Sequence, residues 1–223
     1  MSLFFTGFVV ILLGYLLGCF NGAMLISHHF MGDDVRSHGS GNAGLSNFYR
    51  TYGTRYAALV VLCDMGKTVA ATLIGGHMFD TLFGDWTLGV LLGAAGCILG
   101  HVFPVFYAFR GGKGILSGGM LLIILDWRVA LIGWGLFLIL VLLTRYISLG
   151  SMAGAVSLPI SVFFLYDHNP TYTILCVLMV ALILYSHRSN IQRLIHGTER
   201  KFQRHSSSSA SKEEENQNHK AEN

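Results

Sequence analysis

Seven apolar runs separated by short polar loops occupy most of this chain, and they leave it few folds to choose from. They cover residues 3–27, 55–79, 86–107, 113–125, 129–143, 149–166 and 171–186. A helix needs roughly 20 apolar residues to cross the hydrocarbon of a bilayer. Most of the runs meet or approach that length. The fourth is short, and a re-entrant pair formed by the fourth and fifth is the alternative there. The pattern predicts an all-α, polytopic transmembrane helix bundle of about seven spans, forming one membrane-integral domain over residues 1–204. The first run lacks a basic leading segment and is long enough to span, so it reads as a membrane helix rather than a cleavable signal.

Composition closes off the soluble alternative. Hydrophobic residues make up 52% of the 223 and charged residues only 12%, against about 25% charged in an average soluble domain. A soluble globule of this size has too much surface to hide that apolar area. Four cysteines, Cys19, Cys63, Cys97 and Cys176, fall inside apolar runs without a C-x-x-C pair. They read as small buried hydrophobes, and neither a metal nor a cofactor is implied.

The net charge of +3 says less than its placement. Arg36 and Arg50 follow the first run, Arg110 and Lys113 the third, and Arg145 the fifth, whereas the loops after the second and sixth hold no Lys or Arg. A lone Arg128 follows the fourth, and Arg188, Arg193, Arg200, Lys201 and Arg204 follow the seventh. Basic loops are retained on the cytoplasmic side. The alternation predicts an N-terminus outside, a cytoplasmic C-terminus and an odd number of spans. Residues 205–223 are rich in Ser, then in Glu, Lys and Asn, with nothing apolar larger than Ala. They read as a disordered cytoplasmic tail.

The residues that carry chemistry lie in the basic loops. Gly39-Ser40-Gly41-Asn42-Ala43-Gly44-Leu45-Ser46-Asn47 leads to Arg50. Its glycines let the backbone approach an anion closely. Ser40, Asn42, Ser46 and Asn47 add neutral donors, and Arg50 adds a planar fork suited to phosphate. A flexible polar loop is the plainer account of the same residues. The second segment, Gly100-His101 with Pro104 and then Arg110-Gly111-Gly112-Lys113-Gly114, opens the fourth run with amides and an ammonium, an anion site without the spacing of a P-loop. The third is His187-Arg188-Ser189-Asn190 with Arg193 and Glu199. On a helix, Arg188, Gln192 and the 190/193 pair do not share one face, so a basic patch for lipid headgroups competes with a site. Asp64 and Lys67, three apart within the second run, must pair or line a polar cavity, because an isolated charge there costs roughly 2.5–3.5 kcal/mol. His28 with Asp33 and His29 with Asp34 have an H-x-x-x-x-D spacing used by another class of glycerolipid acyltransferase. Adjacent His-His and Asp-Asp doublets produce both matches by chance.

Taken in order, these segments resemble one family, the bacterial acyl-phosphate:glycerol-3-phosphate acyltransferases of the inner membrane. The likeness rests on Gly32-Asp33-Asp34-Val35-Arg36 leading to Gly39–Asn42 and Arg50, Asp64 with Lys67, Gly100-His101 with Pro104, Gly111–Gly114, Thr144-Arg145-Tyr146 with Ser148, and His187–Asn190 with Glu199. It covers nearly the whole chain up to Lys201. The chain departs from the family at Gly18-Cys19-Phe20-Asn21, where a Gly-Ser-x-Pro turn is usual, and it carries Ser46-Asn47 in place of Thr-Asn.

The resemblance implies acyl transfer from acyl phosphate to the 1-hydroxyl of glycerol 3-phosphate at the cytoplasmic face of a bacterial plasma membrane. Substrates and membrane lipid would be its only partners, with no nucleic acid among them. Ser40, Arg50 and Lys113 would take glycerol 3-phosphate. Gly111, Gly112 and Asn47 would donate to the acyl phosphate head group, with Arg145 as a further cation. Asn190 and His187 would hold the glycerol hydroxyls, and Glu199 matches the last motif. For the proton of the attacking hydroxyl, His101 is one candidate base and a substrate phosphate oxygen is another. A transporter or channel for a small organic anion is the competing class.

Overall fold

The computed structural model describes residues 2–202, and every described regular element is helical. The polar tail expected from residue 205 lies outside the described residues. Ten α-helices follow in order: α1 (Leu3–Gly18), α2 (Gly22–Ile26), α3 (Leu45–Tyr52), α4 (Ala57–Phe83), α5 (Trp86–Val102), α6 (Ile115–Leu125), α7 (Trp127–Thr144), α8 (Ile147–Leu165), α9 (Pro170–Ser186) and α10 (Arg188–Ile195).

Polar caps set where the apolar runs start. Side-chain oxygens of Asp85, Asp126 and Asn169 accept from the first-turn amides of α5, α7 and α9, and Pro170 occupies the first turn of α9. Gly84, at φ 69°, ends α4 in the left-handed conformation.

The seven runs appear as seven apolar helical segments, but they do not all qualify as spans. Five are long and apolar enough: Leu3–Met31, Ala57–Phe83, Trp86–Tyr107, Trp127–Thr144 and Ile147–Leu165. A sixth is reached if α9 and α10, bent by 60° at their junction, count as one. With 11 residues, α6 is about 16 Å long, well short of a hydrocarbon core of about 30 Å. The expected fourth span is therefore a short helix packed among α4, α5, α7 and α8.

Close packing comes from small residues, as expected where lipid removes the hydrophobic drive between helices. α5 is central and packs on α1, α4, α6 and α9. A methyl group added at Gly14, Gly93, Gly96 or Gly100 would collide with the facing backbone of α1, α4 or α5, so those helices touch main chain to main chain. Leu91, Ile98, Leu121, Leu158 and Ile183 build the core between α5, α6, α8 and α9. Phe4, Leu62, Leu131, Leu143 and Phe164 point outward and stay exposed, as lipid-facing residues do.

The first segment is broken after Gly18 and restarted by Asn21, whose side chain caps α2 and donates to the Ala43 carbonyl at 3.0 Å. The break leaves backbone groups without helical partners. Lys67 Nζ meets them at the end of α1, donating to the carbonyls of Gly18 (3.2 Å) and Phe20 (3.0 Å). Asp64 Oδ1 accepts the Gly22 N–H at the start of α2, at 3.0 Å. Each charge also suits the dipole of the helix end it faces. Asn21 and a charged pair from α4 thus brace the break between α1 and α2.

Candidate active site

The basic loops and α10 meet over one cavity of about 1280 Å³. Arg50 reaches it from α3, Lys113 from the loop ahead of α6, and Asn190 from α10. Asn42, Ser46, His101, His187 and Glu199 line it as well. A large apolar part of its wall comes from α6 to α9, including Leu116, Leu122, Trp134, Leu158 and Ile183.

A relay of hydrogen bonds fixes the polar part. Lys113 Nζ donates to Asn190 Oδ1. Asn190 Nδ2 donates to Glu199 Oε1 at 2.7 Å, and the same oxygen accepts from Ser148 Oγ at 2.6 Å. Arg193, one turn after Asn190 on α10, donates from Nε to Glu199 Oε2 at 2.7 Å. Burial works against the Glu199 carboxylate, but the bonds from Ser148, Asn190 and Arg193 outweigh it and hold the acid below its ordinary range. Burial lowers Lys113 from 10.5 to about 8, opposed by Glu199 and reinforced by Arg193 and Arg50. Arg50 is lowered too, chiefly by burial and then by Arg200. Several cations are thus held close together with too little negative charge between them, which favours an anionic ligand.

A second cavity of about 730 Å³ shares Asn42 and Lys113 with the first. Ser40, Gly111 and Gly112 line this one, together with Arg110, Arg188 and Arg193.

Four expected ligands are placed otherwise than the sequence suggested. Asn47 is buried with its amide fully engaged: Oδ1 accepts from the Ser40 N–H at 2.9 Å, and Nδ2 donates to the carbonyls of Val35 and His38. It shapes the glycine-rich loop and has no donor left for a substrate. The N–H of Gly111 donates to the Val102 carbonyl and that of Gly112 to the His101 carbonyl, each at 3.1 Å. These amides tie the loop to the end of α5, and both glycines are needed because a methyl group at either would strike that helix end. Arg145 lines neither cavity; it ends α7 at φ 62°, and its carbonyl accepts from the Phe202 N–H at 2.7 Å.

The H-x-x-x-x-D pairs do not form. His28 and His29 lie in a short π-helix, Ser27–Met31. Asp33 instead bonds His38 Nε2 at 2.6 Å and Tyr52 Oη at 2.9 Å, while Asp34 pairs with Arg36 at 2.7 Å.

Sequence reading missed the anchoring role of Arg193 and Ser148, and the place of Arg200 and Lys201 in the cavity wall. It also left Asp64 and Lys67 without a third partner. Lys67 Nζ lies 2.8 Å from both Asp64 Oδ1 and His101 Nδ1. A buried ion pair near the end of a neighbouring span that carries a histidine was the available signal.

Comparison with known proteins agrees with this layout. The sequence model of the family described as glycerol-3-phosphate acyltransferase matches residues 8–197. A glycerol-3-phosphate acyltransferase of Clostridioides difficile is 34% identical over 198 residues, 89% of this chain and 96% of that protein. One of Mesorhizobium japonicum is 39% identical over 194 residues, 87% of this chain and 95% of the other. The crystal structure of PlsY (YgiH), an integral membrane glycerol 3-phosphate acyltransferase in its glycerol 3-phosphate form, superposes with a TM-score of 0.77 at 31% identity, covering 88% of this chain and 96% of that one. The lysophosphatidic acid form of PlsY gives a TM-score of 0.75 at 30% identity, covering 88% and 95%.

Proposed function

Because this chain belongs to the glycerol-3-phosphate acyltransferase family, we propose that it moves a fatty acyl group from acyl phosphate to the 1-hydroxyl of glycerol 3-phosphate, giving lysophosphatidic acid and inorganic phosphate. One observation carries the reading: Arg50, Lys113 and Asn190, far apart in sequence, line one cavity that also has a large apolar wall from α6 to α9. Cations at one part of a cavity and hydrocarbon at another match a substrate with a phosphate head and a fatty tail.

Acyl phosphate is a mixed anhydride and already activated, so no protein nucleophile is required. The glycerol oxygen bonds to the carbonyl carbon, the bond from that carbon to the phosphate oxygen breaks, and phosphate departs with the electron pair. The hydroxyl proton goes to an oxygen of the departing phosphate or to a protein base. Lys113 and Arg50 offset the repulsion between two phosphates held side by side. Asn190, fixed by Lys113 and Glu199, and His187 orient the acceptor. Such positioning supplies of order 7–11 kcal/mol in favourable cases.

We place the protein in the bacterial plasma membrane, with the site on the cytoplasmic side. The Lys and Arg of alternate loops support this orientation, and the same loops line the two cavities. A transporter would hold its ligand near the midplane. Asp64 and Lys67, within α4, bond to one another and to helix ends.

The test is direct. Purified protein given acyl phosphate and glycerol 3-phosphate should release inorganic phosphate and form lysophosphatidic acid. His28→Ala and His29→Ala should stay within about twofold of the parent; loss of activity in either would return the H-x-x-x-x-D reading.

The pH profile gives a second check. The Lys113 ammonium loses its proton near pH 8 in the free protein, so glycerol 3-phosphate binding should weaken as pH rises through 8. kcat/KM reports free-enzyme groups, and it should fall above that pH. Lys113→Arg, which keeps its charge, should remove that limb whatever its absolute rate. A profile flat to pH 10 in the parent would show that Lys113 does not bind the phosphate as a cation.

A further inference from the structure

The two buried histidines of the cavity face it in opposite senses. His187 Nδ1 lies 2.8 Å from the Ile183 carbonyl oxygen. That oxygen only accepts, so Nδ1 carries the proton and Nε2 is left as an acceptor. His101 Nδ1 lies 2.8 Å from Lys67 Nζ. Lys67 lies 2.8 Å from the Asp64 carboxylate, with side chains 5% and 1% exposed, and two carbonyl oxygens stand at 3.0 and 3.2 Å, so its three N–H groups are shared among four acceptors, of which Asp64 and His101 are the nearest. The carboxylate and the carbonyls hold it as an ammonium, which only donates. A proton on His101 Nδ1 would point straight at that ammonium, and the alternative acceptor, Asp64 Oδ1, is 3.5 Å away. Nδ1 therefore accepts, and a neutral ring must carry its proton on Nε2.

His101 is itself only 3% exposed, yet it lines the cavity. Its Nε2 has no hydrogen-bond partner among the described residues, and it is not sealed off, since Ser117 Oγ is the one fully buried side-chain polar atom there without a partner. The Nε2 edge packs on Gly112, where a methyl group would overlap it. A donor without a partner thus sits beside the glycine-rich loop, in the cavity that holds Lys113.

We propose that Lys67 and Asp64 hold His101 as the Nε2–H tautomer, and that His101 serves acyl transfer as a hydrogen-bond donor to a substrate oxygen rather than as a base. Lys67 and Asp64 are then positioning residues. The proposal rests on the acyl-transfer reading and refines the role of one residue in it. In that reaction negative charge builds on the carbonyl oxygen as the glycerol oxygen bonds to carbon, and a fixed N–H offsets that charge. The hydroxyl proton passes to an oxygen of the departing phosphate, because His101 has no free lone pair to take it.

Glutamine separates the two roles. It can accept from Lys67 through Oε1 and donate into the cavity through Nε2, but it cannot take a proton. His101→Gln should keep activity within about tenfold of the parent, while His101→Ala should fall about a hundredfold or more, the usual cost of a lost oxyanion donor. His101→Gln as inactive as His101→Ala, or His101→Ala as active as the parent, overturns the donor role. Nitrogen-15 spectra of the parent in detergent, with the His101 signals assigned by difference from His101→Gln, read the tautomer without reference to turnover. Nε2 should be the protonated nitrogen, and Lys67→Met should weaken that preference. A parent with Nε2 unprotonated overturns the proposal. A parent that holds the expected tautomer but transfers no acyl group overturns the reaction reading, leaving the Lys67–His101 arrangement in place.

Discussion

Lys113→Met should lower phosphate release from acyl phosphate and glycerol 3-phosphate by about 10²–10³-fold, the cost of removing one preorganised electrostatic contact. Lys113 is the cation shared by both cavities, and it is partly buried beside Arg50, Arg193 and Glu199. Its ammonium is already desolvated, so a bound phosphate gains more from it than from a cation in water. Met keeps the length and apolar stem of Lys while removing the charge. Folding should survive, since burying a thioether costs less than burying an ammonium. The thermal unfolding midpoint in detergent should therefore stay close to that of the parent while activity is lost. Lys113→Arg should fall between the two, because a planar fork does not reproduce a point charge at Asn190. Full activity in Lys113→Met would remove the cation on which the phosphate site depends.

Asp64→Leu should destabilise the protein by about 3–5 kcal/mol, because removing one member of a buried ion pair strands the other. Asp64 holds Lys67 at 2.8 Å and also accepts the Gly22 N–H at 3.0 Å, so the leucine leaves both a cation and an amide without their partner. Removing both charges together is far less costly than removing one. The double variant Asp64→Leu, Lys67→Met should therefore recover much of the loss, with a coupling of about 0.5–3 kcal/mol between neighbours in one network. Stability and activity should separate in that variant: the bundle recovers, but His101 loses the ammonium that fixes its ring. Unfolding followed by tryptophan fluorescence gives the first quantity and phosphate release the second. An Asp64→Leu protein as stable as the parent would show that the pair does not brace the break between α1 and α2.

The helical segments could be read along the chain because the apolar runs that form them are local. An apolar run forms a helix in lipid, where every backbone group must find its partner within the segment; the structure adds that Asp85, Asp126 and Asn169 cap three of those helices. The basic loops carrying Arg50, Lys113 and Asn190 were also legible, since charge excluded from hydrocarbon collects at the ends of spans. The fourth run, already short in the sequence, packs among α4, α5, α7 and α8 as the 11-residue α6.

Residue type told which groups can bind phosphate, and only the tertiary structure decided which of them have that capacity left. Asn47, Gly111 and Gly112 have the right chemistry, but their donors are spent on carbonyls of their own loop and of the neighbouring α5 end. The same holds for His101: its type allows a base or a donor, and a lysine 34 residues away selects the donor. A hydrogen-bonding group has a fixed number of protons and lone pairs. How many remain for a substrate depends on neighbours that the fold supplies from distant parts of the chain.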